Sequence, residues 1–378
     1  MVLAGFWISF LVLCYTFGGY PVLLLLLRNV RRLPLGETLA SVWPTISVVL
    51  VAHNESRRIV ARLENLMACD YPPGKLEVVV VSDGSSDDTV SQIRGLAHSR
   101  VRVIDHPTRQ GQAHCLNAGL PAARGDIVVF ADARQTFAPD TIEKLARHFA
   151  DLKVGAVSGA LVIDPSSSTV GSGVDAYWRL EKFIRASEAR WDSCIGCTGA
   201  VYAIRRELYQ PIPGDSLVED VLIPMQIALR GYRVEFDPAA VAFDPQPLEP
   251  HRERIRKRRT LAGNFQMLFR YPGWLLPWRN RLWWQLISHK YLRLAGPLLL
   301  LALFFCNLGL LAAPFYQVLS CGQCVFYGLA LLGGVFSSVR LRFFSIPAGF
   351  VFLNLMTLAG FWHYARGSHR GGWELTNK

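Results

Sequence analysis

The sequence predicts an α/β domain carried on membrane-spanning helices, one ahead of it and about three behind. Three observations predict this. Only 18% of the 378 residues are charged and 51% are hydrophobic, whereas soluble chains average about 25% charged. The apolar excess is concentrated at the two ends. Between the ends, apolar runs that finish in polar residues alternate with helical patterns. A disordered tail, a coiled coil and a disulfide-dense toxin are thereby excluded.

Residues 1–27 contain no Asp, Glu, Lys or Arg, and Arg28, Arg31 and Arg32 follow. About 20 apolar residues cross a bilayer as a helix. A cleaved signal peptide wants a positive n-region and a small-residue cleavage site. Here the arginines come after the run, so residues 1–32 read as an uncleaved anchor. Lys and Arg collect on the cytoplasmic side, which places the middle domain in the cytoplasm and the chain in the inner (plasma) membrane as a multi-pass protein.

In the middle domain, taken as residues 33–250, PTISVVLVAHNE (44–55), LEVVVVSDGSSDDT (76–89), VRVID (101–105) and DIVVFADAR (126–134) read as strands. Fully apolar strands belong to a sheet covered on both faces. Helical patterns follow three of them, at Glu55–Ala68, Asp88–Ala97 and Gln112–Ala122. The β-α-β-α order argues for a mostly parallel sheet.

Residues 251–293 are basic and aromatic. Arg256, Lys257, Arg258 and Arg259 are followed by Trp274, Trp278, Trp283 and Trp284, the composition of an interfacial helix on anionic lipid. Residues 294–339 contain no acid or base and are long enough for two spans; 343–365 form a further uncharged run. Arg340 and Arg342 fit the cytoplasmic side. Four spans put Arg366, Arg370 and Lys378 outside, so either the last run does not fully cross or the charge rule yields there.

The net charge is +11, from 40 Lys and Arg against 29 Asp and Glu. It sits beside the membrane helices and no nucleic-acid-binding motif accompanies it, which excludes a nucleic-acid partner. Of the eight cysteines, Cys194-x-x-Cys197 and Cys321-x-x-Cys324 have the spacing of zinc half-sites. On this topology the two pairs face opposite compartments, and they read as packed thiols.

Ligands of open α/β sheets bind outside the carboxyl ends of the strands. Asn54 and Glu55, Asp83 and Asp132 all sit at such ends. Turns favour Asp and Asn on their own account, but three apolar strands ending alike point to one crevice. There is no GxGxxG or GxxxxGK[ST] in the right place, so neither the dinucleotide fingerprint nor the P-loop applies.

From Thr45 to Gln266 these motifs resemble the family-2 glycosyltransferases of the GT-A fold, which include cellulose, chitin and hyaluronan synthases. The resemblance implies a GT-A domain, a nucleotide-diphosphate sugar as donor (UDP-sugar first) and inversion at the anomeric carbon. In VAHNE it implies Glu55 on the nucleoside, with Ala52 and His53 as wall. In SDGSSDDT it implies Asp83 accepting from a uracil N–H, Gly84 in a tight turn and Ser86 or Asp87 capping the next helix. In RQGQAHCLNAG, Gly111 and Asn117 match the family pattern, while its lysine is replaced by Gln112.

The family's D-x-D becomes Asp132-Ala133-Arg134. Either Asp132 still holds Mg²⁺ or Mn²⁺ through waters and the diphosphate, or the Arg134 guanidinium takes over part of the metal's role. CIGCTGAVYAIRREL implies acceptor contacts at Cys197, Thr198, Gly199 and Arg205; a structural loop-to-strand turn is the other reading. In SLVEDVLIPMQIALRGYRV, a helix from near Val218 to Gly231 carries the family's E-D pair, which implies Asp220 as general base supported by Glu219. Those two acids also complement a helix N-terminus. The processive family signature QxxRW survives only as Arg259; Arg256 and Arg259 are assigned to the diphosphate and the interface.

Together these imply an enzyme that glycosylates a lipid-linked or growing glycan acceptor at the membrane, for surface polysaccharide or glycolipid synthesis. Membrane lipids are partners, as are export or polymerisation proteins. A processive synthase that extrudes its polymer and a non-catalytic partner on a decayed transferase are the alternatives.

Overall fold

The computed structural model describes residues 1–30, 43–163, 172–244, 250–335 and 342–367. Arg31, Arg32, Arg340, Arg370 and Lys378, on which part of the topology argument rests, lie outside them. The chain divides into a helical unit (Met1–Val30, Thr169–Ile184, Glu249–Gly367) and a sheet unit (Arg31–Ser168, Arg185–Leu248, Ser368–Lys378).

The helical unit opens with α1 (Val2–Cys14) and α2 (Tyr20–Val30), joined through a π-helical turn at Tyr15–Gly19.

The sheet unit runs β1 (Ile46–Ala52), α3 (Ile59–Met67), β2 (Leu76–Asp83), α4 (Thr89–Gly95), β3 (Val101–His106), α5 (Gln112–Ala122), β4 (Ile127–Asp132), β5 (Thr136–Phe137), α6 (Thr141–Arg147) and β6 (Val154–Ile163). After α7 (Ser172–Trp191), which begins in the helical unit and ends in the sheet unit, come β7 (Val201–Arg205), α8 (Glu219–Leu229) and β8 (Arg233–Asp244). The strands form one sheet in the order β3-β2-β1-β4-β7-β6-β8-β5.

β3, β2, β1 and β4 are mutually parallel, as the sequence led one to expect. The rest is mixed: β7 is antiparallel to both β4 and β6, and β5 is antiparallel to β8. β6 and β8 pair in parallel, so the expectation of a mostly parallel sheet holds apart from the reversed β7 and the short β5. β7 is reached from the end of α7 by a short loop, so it runs back down the sheet.

Val48, Val49 and Leu50 of β1 and Leu76, Val78, Val79, Val80 and Val81 of β2 are buried, on both faces of the sheet, and each such side chain contributes about 1.5–3 kcal/mol. Ile59, Leu63 and Leu66 of α3 and Ile142 and Leu145 of α6 join them in one core. On the other face Gly119 of α5 lies so close that a Cβ there would meet Val81 Cγ2 at 2.8 Å and Val49 Cγ1 at 3.2 Å. A glycine is what allows that helix to lie on the strands.

The remainder of the helical unit is α9 (Pro250–Arg270), α10 (Trp283–Leu286), α11 (Leu292–Leu308), α12 (Pro314–Val335) and α13 (Arg342–Ala365). Among the described residues four helices are long and apolar enough to cross a membrane: Val2–Arg28, Trp283–Leu308, Pro314–Gly334 and Phe343–Ala365. The second starts at Trp283, ahead of the uncharged stretch. Its basic residues are accommodated by buried Glu181 of α7, which accepts from His289 Nε2 at 3.1 Å and Arg293 Nη1 at 3.0 Å. Cys321 and Cys324 are exposed free thiols on α12.

Candidate active site

Parallel pairing fixes the level at which the first strands end. Val51 lies opposite Asp132 and Ala52 opposite Ser82, so the turns after β1, β2 and β4 emerge at one edge. Hydrogen bonds lock the turns after β1 and β2 to each other. Asn54, in the left-handed region at φ 54°, receives the Ser86 N–H at Oδ1 (2.8 Å) and gives its own N–H to Ser85 Oγ (3.2 Å). The Glu55 N–H donates to Thr89 Oγ1 (2.8 Å) and the Ser56 N–H to Asp87 Oδ2 (3.1 Å). Burial alone would raise the Asp87 carboxyl, but hydrogen bonds from Thr89 and Ser56 outweigh it and hold it at about 2.

Glu55 is half-buried. Burial pushes its carboxyl up, the Arg58 guanidinium at 3.0 Å opposes this, Asp132 adds to the rise and Arg134 lowers it. Glu55, Asp132 and Arg134 thus share one electrostatic environment at this edge. Asp132 is half-buried, and its carbonyl accepts from Arg62 Nε at 2.9 Å.

Several expected donor contacts are placed otherwise. Asp83 is only 2% exposed. Its Oδ1 accepts the N–H groups of Gln110 (2.6 Å) and Gly111 (3.0 Å), and Oδ2 also faces Gly111 (3.1 Å). The carboxylate holds the loop through the backbone N–H groups of Gln110 and Gly111. Gly84 is required there: at φ +62° a Cβ would lie 2.5 Å from the Arg109 nitrogen. His53 donates from Nδ1 to the Asp83 carbonyl (2.7 Å). Ala52 is part of the buried core, since alternation along β1 turns it inward, and is no wall for a ligand.

Asn117 clips a loop: Nδ2 donates to the Ile212 carbonyl (2.7 Å), while Oδ1 accepts from Tyr209 Oη (2.7 Å) and the Ile212 N–H (3.0 Å). It lies along α5, away from that helix's first turn, so its carboxamide is spent on protein. Gly111, at φ 94°, precedes α5 and serves Asp83. Arg134 is ion-paired with Asp244, which also accepts from Gln135 Nε2 (3.3 Å). Pairing of β5 with β8, Thr136 opposite Phe243, brings these residues together, and the charge assigned to a diphosphate is already compensated.

The other half of the edge is built by the reversed strand. Ala131 pairs with Val201, so the residues just before β7 reach the level of Asp132. There Gly199 faces Asp220: a Cβ on Gly199 would sit 3.2 Å from Asp220 Oδ2. The Cys197 N–H donates to the Asp220 carbonyl (2.7 Å). Glu219 and Asp220 form the first turn of α8, with Glu219 buried and Asp220 half-buried. Gly231, at φ +92°, follows the end of that helix. Beneath them Tyr202 stacks on Phe130 at 4.3 Å. Burial, reinforced by Cys197, Asp220 and Glu219, pushes its phenol well above the ordinary value, so it stays neutral.

Of the expected acceptor residues, Gly199 and Thr198 lie at this edge. The Thr198 hydroxyl donates to the Gly159 carbonyl (2.8 Å) and accepts from Arg185 Nη1 (3.1 Å). Cys197 is 1% exposed; burial pushes its thiol well above the ordinary range, and it packs beside Cys194 rather than facing a ligand. No cluster of three or more metal-ligating side chains occurs among the described residues. Arg205 lies opposite Ile127, the first residue of β4, and therefore at the far edge of the sheet. Its Nε donates to the Val154 carbonyl (2.8 Å) and Nη2 to those of Phe149 (2.8 Å) and Asp151 (2.9 Å). Antiparallel direction carries it away from the site. Arg256 and Arg259 are on α9 of the helical unit.

The residues missed from the sequence are Asp244 and Arg62. Nothing local marked Asp244. For Arg62 there was a signal: a charged residue on the apolar stripe formed by Ile59, Leu63 and Leu66, where arginine is rare without a partner. For a divalent metal the edge offers Asp132, with Glu55 in its field. That fits an ion held by one or two carboxylates together with substrate phosphates and water, and not an all-protein cage.

The mixed sheet, with its first four strands parallel and acids at their ends, has a GT-A-like fold. Residues 47–212 match the family model for Glycosyl transferase family 2. The chain is 29% identical over 255 residues to an N-acetylglucosaminyltransferase of Rhizobium sp. (strain N33), covering 62% of this chain and 56% of the relative. It is 28% identical over 204 residues to the poly-β-1,6-N-acetyl-D-glucosamine synthase of Staphylococcus aureus (strain COL), covering 52% and 49%. The chain spans about half the length of the curated relatives it matches. Among solved structures, a mannosyltransferase from Pyrobaculum calidifontis, in complex with GDP-Man and Mn²⁺, superposes with a TM-score of 0.71 at 24% identity, covering 97% of this chain and 99% of that one.

Proposed function

We propose that this chain is an inverting glycosyltransferase of the inner membrane. On this reading its sheet unit faces the cytoplasm and moves a sugar from a nucleoside diphosphate to a hydroxyl of a lipid-linked or growing glycan acceptor. The observation that carries the reading is the Asp220 carboxylate, seated against Gly199 at the edge where β4 delivers Asp132. The donor's diphosphate lies by Asp132 and Glu55, and the acceptor hydroxyl points to Asp220. Asp220 takes the hydroxyl proton as the oxygen attacks the anomeric carbon opposite the departing diphosphate. Glu219, buried in the same helical turn, supports the charge arrangement. Mg²⁺ or Mn²⁺ bound with the donor, with Asp132 as the protein's carboxylate, would neutralise the leaving phosphates.

UDP-sugars are the first donors to test, with N-acetylglucosamine in view of the relatives' names and GDP-mannose in view of the structural neighbour's ligand. The four apolar helices support a membrane-bound acceptor and lipid contacts, and leave a place for export or polymerisation partners. The test is nucleoside diphosphate release from a donor panel by the purified full chain, with membrane lipid extract as acceptor source. Donor-dependent release that needs the extract supports the reading; no release with any donor ends it. A synthase among the relatives favours a second reading, processive polymerisation, and the same reaction run on a gel separates single additions from long chains.

A further inference from the structure

The donor-side turn that carries Asp132 and Arg134 is hung from below on one side chain of α3. Arg62 is 2% exposed, packed among apolar residues of the main core. Its Nε donates to the Asp132 carbonyl (2.9 Å) and its Nη1 to Asn65 Oδ1 (2.6 Å). Asn65 grips the far end of the same turn from both sides: Oδ1 accepts the Phe137 N–H (2.9 Å) and Nδ2 donates to the Phe137 carbonyl (3.0 Å). The Phe137 ring lies under the guanidinium, 4.3 Å from its carbon. One fork thus fixes the first and last residues of the 132–137 turn. Nη2 has no hydrogen-bond partner among the described residues.

A guanidinium in such a place is expensive to desolvate, and an apolar residue of similar volume is often neutral or stabilising in its stead. What an apolar residue cannot do is hold a carbonyl at a set position. Burial brings the Arg62 pKa down to about 10, with Asp132 opposing the fall, so the group remains a cation at neutral pH. Its charge therefore stands beneath the carboxylate it positions.

We infer that Arg62 is a positioning residue for donor binding, holding the Asp132 backbone so that the carboxylate meets the donor's diphosphate. The inference deepens the proposed function and rests on the reading of Asp132 as donor-facing. Lysine keeps the charge but lacks the planar fork, which makes Arg62→Lys the informative change.

The experiment measures binding of UDP and of GDP, each with MnCl₂, to the full chain in detergent by calorimetry, with thermal melting as a check on folding. Four proteins are compared: wild type, R62K, D132N and R62K/D132N. R62K is expected to melt cooperatively and to bind the nucleotide with manganese about tenfold more weakly, the loss of a hydrogen bond made by a charged group. In the D132N background the same change is expected to have no further effect. Equal weakening in both backgrounds, or none in the wild type, overturns the inference and leaves Arg62 a purely structural residue. If D132N binds as wild type does, the donor reading of Asp132 fails and the inference falls with it. Weakening by D132N but not R62K sinks the inference alone. Should R62K not fold, R62Q, which carries no charge to bury, is read by the same scheme.

Discussion

In the half of the sheet made by β3, β2, β1 and β4, every strand runs the same way and the site edge receives strand ends. In the half that begins with β7, direction reverses, and the same edge receives the start of a strand. The two halves are also held differently. The parallel half has apolar strands, with turns tied by hydrogen bonds of Asn54 with Ser85 and Ser86 and of Ser56 with Asp87. The mixed half buries charge: His148 bridges Glu235 (2.7 Å) and Asp237 (2.9 Å), and Arg233 joins Asp151 (2.7 Å) to Glu235 (2.8 Å). The comparison shows how one edge is given two chemistries. On the proposed reading, the carboxylates that face a donor ride on parallel strand ends, while the base rides on a helix set against the reversed strand.

The largest expected effect breaks the comparison at the base. Asp220→Asn keeps the shape and removes the proton acceptor, and turnover should fall 10²- to 10⁴-fold, the range for general acid–base groups. On the proposed reading nucleotide affinity rests on the parallel half, and it should not change. Steady-state rates with calorimetry check both; normal turnover in the variant refutes the assignment.

The second effect concerns the buried charges. His148 is 4% exposed. Burial pulls its pKa down, but hydrogen bonds with Asp237 and Glu235 and their charges raise it from 6.5 to about 9. A raised folded-state pKa stabilises fully below the unfolded value, and that contribution is lost as pH rises through the folded one. The shift corresponds to about 3 kcal/mol. The melting temperature should thus fall as pH rises from 6.5 past 9. His148→Gln should melt lower at pH 6.5 and show little slope over that window. A wild-type melting temperature flat across this range would show that the network does not hold the mixed half.

How much of this could be read from the sequence follows the same division. β1 to β4 were legible because fully apolar runs have one common fate, burial in a parallel sheet, and α5 was found with its bounds intact at Gln112–Ala122. Glu55 and Asp132 were legible as strand-end acids. Asp83 was legible as a strand-end acid, but its bonds to the Gln110 and Gly111 N–H groups were not, because a carboxylate that holds a loop looks like any other in sequence. Arg205 was misplaced because strand direction is set by the connection through α7, not by the motif around it. Asp244 and its pairing with Arg134 join residues far apart in the chain, which no local pattern encodes.

Arg205 sharpens the comparison from the opposite edge. Arg205→Met removes three hydrogen bonds to carbonyls and leaves those acceptors to find water. At roughly 2 kcal/mol net the melting temperature should drop by about 5 °C. Donor and acceptor KM should stay as in the wild type, since the residue stands at the start of β4 and not at its end. A specific rise in acceptor KM would return Arg205 to the site and contradict the direction assigned to β7.

Gly199 carries the smallest expected effect, and it tests the contact between the two halves most directly. Its φ lies outside the left-handed region, so alanine meets no backbone strain there, unlike Gly196 at φ +78°. Only space is at issue. An alanine Cβ would lie 3.2 Å from Asp220 Oδ2 and 3.5 Å from Asp220 Cβ, so the carboxylate must shift by a few tenths of an ångström. Displacing a reacting group by 1 Å costs about 10²-fold, and this smaller shift should cost up to about tenfold in kcat. Nucleotide binding and melting temperature should be unchanged. In an Asp220→Asn background the alanine should do nothing more, because its only effect is on the position of the base. If Gly199→Ala slows the enzyme equally with and without Asp220, the glycine is there for the acceptor's own approach, and the pairing of the reversed strand with the base is not what sets the rate.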